Sequence, residues 1–240
     1  MLASPKLRNV SLFQDGAVLS EMELAAKNPL ISGFTTNPTL MAKAGISDYQ
    51  SFAEAAISLI SEKSISFEVF SDDLENMERE ARKIASWGGN TYVKIPITTT
   101  NGSSTFSLIE RLSGDGISLN ITAIFTEKQV ELTSNAVCDG VRAIISVFAG
   151  RIADTGIDPV PLMRHFKEMI SGDKNQELLW ASPREVLNVY QADECGCDII
   201  TATPDILSKL KLAGKDLEEY SRETVKMFYD DAKKAGFTLE

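Results

Sequence analysis

Lys94 stands in the middle of TYVKIP (91–96), flanked by Val93 and Ile95 in what reads as a buried extended segment. A lysine is almost never fully buried without a partner or a purpose. Two carboxylates can serve as its company: Glu68 in ISFEVF (65–70) and Asp15 in NVSLFQDG (9–16). A desolvated lysine loses proton affinity and keeps enough neutral amine to attack a carbonyl. The product is a Schiff base, an electron sink that lets an adjacent carbon–carbon bond break. Such a reaction needs a base for a substrate hydroxyl, and an acid/base with a water to dehydrate the carbinolamine. Asp15 and Glu68 fill those two slots, and Thr122 can hold the water. Plain charge pairing of the carboxylates with Lys94 is the competing reading, and it leaves Asn37, Asn120 and Ser146 without a role.

These side chains converge only if the fold brings many strand ends together. Apolar runs predict strands at 9–16, 31–37, 65–70, 91–96, 118–124, 143–150, 177–182 and 198–204. Their starts are spaced by roughly 20 to 35 residues, the length of a strand, a helix and two loops. The segments between carry helix periodicity and caps. Ser71 and Asp72 are N-cap candidates for the helix that ends near Arg82 and Lys83, and Thr126 opens the helix beginning TEKQ. No glycine-rich nucleotide motif occurs, which disfavours an open doubly wound sheet. The pattern predicts an α/β fold, a (β/α)8 TIM barrel in a single domain over 1–240, with an extra C-terminal helix at about 215–234.

Strand side chains alternate between two faces. Ile65, Phe67 and Val69 form an apolar row that leaves Glu68 opposite, and Val93 with Ile95 does the same for Lys94. By the same count Leu119, Ile121 and Ala123 face the helices while Asn120 and Thr122 point inward. Ser146 and Phe148 point inward from the sixth strand, Asp15 from the first, and Asn37 closes the second. One such polar residue would be an ordinary core hydrogen-bonder; seven together predict a site at the C-terminal end of the barrel. Arg151 after the sixth strand, with Ser182 and Arg184 after the seventh, place two guanidiniums and a hydroxyl where a phosphate would bind.

Composition narrows the partners. The 240 residues carry a net charge of −10, which argues against a nucleic-acid surface. No apolar stretch is long enough for a membrane span, and the start, MLASPKLRNV, lacks the apolar core of a leader peptide. The three cysteines, Cys138, Cys195 and Cys197, read as reduced thiols of a cytoplasmic protein. Neither they nor the single histidine, His165 on a helical pattern, have metal-site spacing, so no metal is expected.

In order, QDG, FTTNPT, FEVF, VKIP, LNITAIF, ISVFAGRI and ASPRE resemble the transaldolase family over nearly the whole chain. The resemblance implies a class I aldolase barrel with no metal or organic cofactor. It implies that Lys94 forms the Schiff base, that Asp15 is the base for cleavage, and that Glu68 and Thr122 manage the catalytic water. Asn37, Asn120 and Ser146 would bind substrate hydroxyls, with Phe148 beside them and Arg151, Ser182 and Arg184 on the phosphate. The reaction implied is transfer of a dihydroxyacetone unit from a ketose phosphate, such as fructose 6-phosphate or sedoheptulose 7-phosphate, to an aldose phosphate, as in the pentose phosphate pathway. Related fructose-6-phosphate aldolases typically carry glutamine and tyrosine where this chain has Glu68 and Phe148; they release free dihydroxyacetone instead. The chain is shorter than the classical members, and opens with FQDG where LDT or LDS is usual. A catalytically silent sugar-phosphate-binding barrel is the non-enzymatic alternative. A homo-oligomer is expected.

Overall fold

Runs of Ile, Val, Phe and Leu with period-two alternation become eight strands in a computed structural model that describes residues 7–60 and 63–239. The first half contains β1 Ser11–Asp15, α1 Leu19–Ala26, β2 Ile31–Thr35, α2 Pro38–Lys43, α3 Tyr49–Ile60, β3 Ser64–Glu68, α4 Leu74–Ala85 and β4 Thr91–Pro96. There follow α5 Phe106–Gly114, β5 Leu119–Ile124, α6 Glu127–Ala136, β6 Ala143–Val147, α7 Ala149–Asp154 and α8 Pro159–Ile170. β7 Gln176–Trp180, α9 Leu187–Cys195, β8 Ile199–Ala202 and α10 Pro204–Ser208 complete the series. All eight strands pair in parallel and in sequence order, and β8 returns to β1, so the barrel expected from the spacing closes. The first six residues, on which the reading of the N-terminus partly rests, lie outside the described residues.

The outer face of the barrel is largely apolar: Phe67, Val93, Ile95, Leu119, Ile121 and Ile145 are fully buried. Burial of each such side chain contributes roughly 1.5–3 kcal/mol. Inside, Phe13, Tyr92, Ile144, Leu179, Ala181 and Ile199 pack into one cluster that Phe148 joins. Room for the Phe13 ring comes from Gly33, where a Cβ would stand 2.6 Å from that ring. The interior is thus a packed plug beneath, and the polar residues sit above it.

The strands end earlier than the apolar runs do. β2 stops at Thr35 and β6 at Val147, so Asn37 and Phe148 lie on the turns that lead into α2 and α7. Asn37 is the N-cap of α2, its Oδ1 accepting from the Leu40 amide at 3.0 Å with Pro38 in the first turn. Thr126 caps α6, as expected, and does so in a capping box with Gln129. The expected cap of α4 is corrected: Asp73 accepts from the Asn76 amide, whereas Asp72 is taken by Thr100 and Ser71 by Glu80. Three consecutive capping residues offered the helix a choice, and tertiary partners removed two of them.

Two compact units divide the chain, the barrel unit Leu7–Leu207 and a unit that includes Ser208 onward. In the latter, α11 spans Leu217–Ala235, within two residues of the expected C-terminal helix. Asp216 caps it by accepting from the Glu219 amide, and Gly236 ends it in the left-handed conformation. Among the described residues no helix is long and apolar enough to cross a membrane.

Candidate active site

Parallel register sets the core of the site. Glu68 pairs with Lys94 and Lys94 with Asn120, so three neighbouring strands present these side chains inward at one level. Asp15 pairs with Thr35 in the same way across β1 and β2. Above the apolar plug opens a cavity of about 570 Å³. All eleven residues singled out from the sequence line it: Asp15, Asn37, Glu68, Lys94, Asn120 and Thr122, with Ser146, Phe148, Arg151, Ser182 and Arg184.

Lys94 is 7% exposed. Its Nζ donates to the Thr36 carbonyl at 3.1 Å and lies 3.1 Å from Glu68 Oε2. Glu68 is itself anchored, because Tyr49 donates its hydroxyl to the Glu68 carbonyl at 2.8 Å. Asp15 accepts from Thr35 Oγ1 at 2.8 Å. Burial raises the proton affinity of Asp15 above the ordinary aspartate range; the charge of Lys94 and the Thr35 hydrogen bond oppose this, and the Glu68 charge adds to it.

Asn120 is wholly buried and held at both ends of its amide. Its Nδ2 donates to Ser66 Oγ at 2.9 Å, and its Oδ1 accepts from Ser146 Oγ at 2.6 Å. Thr122 differs: its hydroxyl is buried and has no hydrogen-bond partner in the protein. A buried polar group left unpaired costs roughly 1–3 kcal/mol, so this hydroxyl calls for a water or a substrate atom.

Beside Thr122, β5 carries a bulge. Ile121 pairs with Ile145 but Ile124 with Val147, so three steps on β5 match two on β6. The extra residue is Ala123, whose φ of 61° is left-handed. Ala123 therefore lines the cavity beside Thr122. This corrects the alternation count, which turned it toward the helices; a bulge is a property of strand pairing and leaves no mark in one strand's residues.

At the far side, Arg151 lies over the Phe148 ring, 5.2 Å from its centroid, and Phe125 stacks at a tilt on Phe148. Ser182 has a φ of 60°. Arg184 is not a free cation. Its Nε donates to Asp154 Oδ1 at 2.9 Å and its Nη2 to Oδ2, leaving Nη1 for an incoming anion. Lys43 on α2 also lines the cavity, as do Thr35 and Thr201. Sequence reading passed over all three. Thr35 shares the inward row of Asn37 and could have been found by that spacing, whereas threonine suits any strand and Lys43 any helix surface.

His165 lies far from this chemistry on α8, 3.4 Å from Glu127, in agreement with its reading as a helix-surface residue. Among the described residues no group of three or more His, Cys, Asp or Glu side chains could hold a metal ion.

A family model described as Transaldolase/Fructose-6-phosphate aldolase matches residues 12–239. A Dehalococcoides mccartyi protein named "Probable transaldolase" is 34% identical over 201 residues, 83% of this chain and 89% of its own. One of the same name from Hyphomonas neptunium is 33% identical over 233 residues, 96% of this chain and the whole of the other. Among solved structures, the putative copper homeostasis protein CutC from Streptococcus agalactiae covers 81% of this chain and 98% of its own with a TM-score of 0.62; at 16% identity it shares the fold alone. With a family match over nearly the full length, and relatives above 30% identity, the chain belongs to the transaldolase/fructose-6-phosphate aldolase family.

Proposed function

We propose that the protein is a transaldolase, moving a dihydroxyacetone unit from a ketose phosphate to an aldose phosphate through a Schiff base on Lys94. The observation that carries this reading is the buried Lys94 amine, 3.1 Å from Glu68 and sharing one cavity with Asp15. Glu68 can take the ammonium proton, and the amine then attacks the ketose carbonyl. Glu68 and a water on the Thr122 hydroxyl remove the carbinolamine oxygen. Asp15 takes the proton from the substrate's C4 hydroxyl, the C3–C4 bond breaks, and the electron pair is held as an enamine on Lys94. An aldose phosphate released and another captured complete the transfer, with each step reversed and water freeing the lysine. Asn37, Asn120 and Ser146 are the hydroxyl binders in this scheme, and Arg151, Ser182 and the free Nη1 of Arg184 the phosphate binders.

A cavity of about 570 Å³ suits a hexose or heptose phosphate. Glu68 and Phe148 favour transfer over simple aldol cleavage: the carboxylate activates water for imine exchange, and the ring supplies no hydroxyl for hydrolytic release of the donor. A cytoplasmic, homo-oligomeric enzyme belongs to the same reading.

Incubation with fructose 6-phosphate followed by borohydride reduction tests it. The expected result is a dihydroxyacetone-derived mass increment on the peptide containing Lys94, and none in Lys94→Met. With an aldose phosphate acceptor, a new ketose phosphate should form without accumulation of free dihydroxyacetone. Phe148→Tyr and Glu68→Gln should shift the balance toward free dihydroxyacetone. A reduced protein of unchanged mass would end the Schiff-base reading.

A further inference from the structure

We propose that Thr201 on β8 is a positioning residue for Asp15, acting through Thr35 in a chain of hydroxyls that spans from β8 to β2 over the intervening β1 and ends on β1. The inference rests on the reading of Asp15 as the base for bond cleavage.

Proton counting fixes the direction of the chain. Thr35 carries one hydroxyl hydrogen, and it goes to Asp15 Oδ1 at 2.8 Å. Thr35 Oγ1 also lies 2.5 Å from Thr201 Oγ1. With Asp15 ionised, as its reading as the base requires, Thr35 has no second hydrogen to give, so Thr201 is the donor and Thr35 the acceptor. Both hydroxyls are buried, Thr35 at 2% and Thr201 at 6% exposure, and all three side chains line the cavity. The strand order β8–β1–β2, with Phe13 paired to Thr201 and Asp15 paired to Thr35, places the three side chains on one side of the barrel.

A hydroxyl that accepts a hydrogen bond donates a stronger one. Thr201 therefore strengthens the Thr35–Asp15 bond, holds one carboxylate oxygen in place, and leaves Oδ2 for the substrate hydroxyl. It also favours the ionised form of Asp15 against the burial that opposes it. The other groups acting on Asp15 are Lys94 from β4, which favours the anion, and Glu68 from β3, which disfavours it. Thr201 carries no charge, so its replacement changes the chain without changing the charge of the site.

The test compares Thr201→Val, which keeps the shape and removes the donor, with Thr201→Ser, which keeps the donor. In Thr201→Val the acid limb of the kcat profile for donor cleavage should move to higher pH, with kcat on that limb falling roughly threefold to tenfold, the worth of one buried hydrogen bond. Thr201→Ser should restore both the limb and the rate. Borohydride trapping of fructose 6-phosphate on Lys94 at saturating substrate should be unchanged in both variants, because amine condensation does not pass through Asp15. A normal adduct with an unmoved acid limb in Thr201→Val overturns this inference alone, as does a loss that serine fails to restore. Absence of the adduct in the unaltered protein overturns the parent reading, and this inference with it.

Discussion

A Cβ built on Gly150 would stand 1.6 Å from the carbonyl oxygen of Ser182, well inside any van der Waals limit. Gly150 lies in the first turn of α7, next to Arg151, and Ser182 lies two residues past the end of β7 and two before Arg184. The Gly150 amide also donates to the Ala181 carbonyl at 3.3 Å. Gly150→Ala must push the two turns apart, at a cost of about 1–3 kcal/mol or more. The expected outcome is a drop of several degrees in Tm by circular dichroism. A rise in KM for phosphorylated over unphosphorylated substrate should accompany it, because Arg151 and Ser182 lose their spacing. An unchanged Tm would show that the turns have slack.

Asp15 gives a stability prediction with a defined sign. Burial makes its carboxyl hold a proton more tightly in the folded chain than in the unfolded one. A raised native pKa contributes stability that is fully present below the unfolded-state pKa and is lost as pH rises through the native value. Asp15→Asn removes that loss, along with the base. The variant should gain more Tm over the unaltered protein at pH 7 than at pH 4, while donor cleavage collapses. Equal differences at both pH values would show that Asp15 is not held against its ionisation.

Much of this site was legible in the sequence because barrel strands are read one row at a time. Val93 and Ile95 dictate where Lys94 points, and Phe67 with Val69 does so for Glu68; apolar burial forces the polar row inward. What escaped depends on pairing between strands or on distant partners. Ala123 turned inward through a bulge visible only against β6. Thr201 revealed its connection only when β8 closed on β1 and brought it 2.5 Å from Thr35. Arg184 read as an open cation until Asp154, thirty positions earlier in the chain, was seen to hold two of its nitrogens.

The thiols should separate by environment. Burial pushes the Cys195 thiol up to about 11 and raises Cys197 as well. Cys138 is half-exposed. Ellman's reagent at pH 8 should therefore release about one equivalent quickly from the native protein, at Cys138, and all three in denaturant. The same raised values mean that the unfolded chain loses these protons first, so stability should fall as pH rises above the ordinary thiol range. Cys197→Ala should flatten that decline, read as Tm between pH 8 and pH 10. Three fast equivalents from the native protein would contradict the burial.

Thr122 separates stability from activity more sharply than any other residue in the cavity. Its hydroxyl is buried and has no partner in the protein, so no hydrogen bond within the fold depends on it. Thr122→Val keeps the branched shape on the bulged strand and removes only the oxygen. Denaturant unfolding should show stability within about 1 kcal/mol of the unaltered protein, since no hydrogen bond within the fold is lost. If the hydroxyl orients the water that dehydrates the carbinolamine, single-turnover formation of the trappable Lys94 adduct should slow roughly 10²-fold, the usual contribution of positioned acid–base catalysis. Binding of the substrate's phosphate end should be untouched, because Arg151, Ser182 and Arg184 lie on the segments after β6 and β7. A variant that loses stability and reacts at the normal rate would assign Thr122 to packing and leave the catalytic water to Glu68 alone.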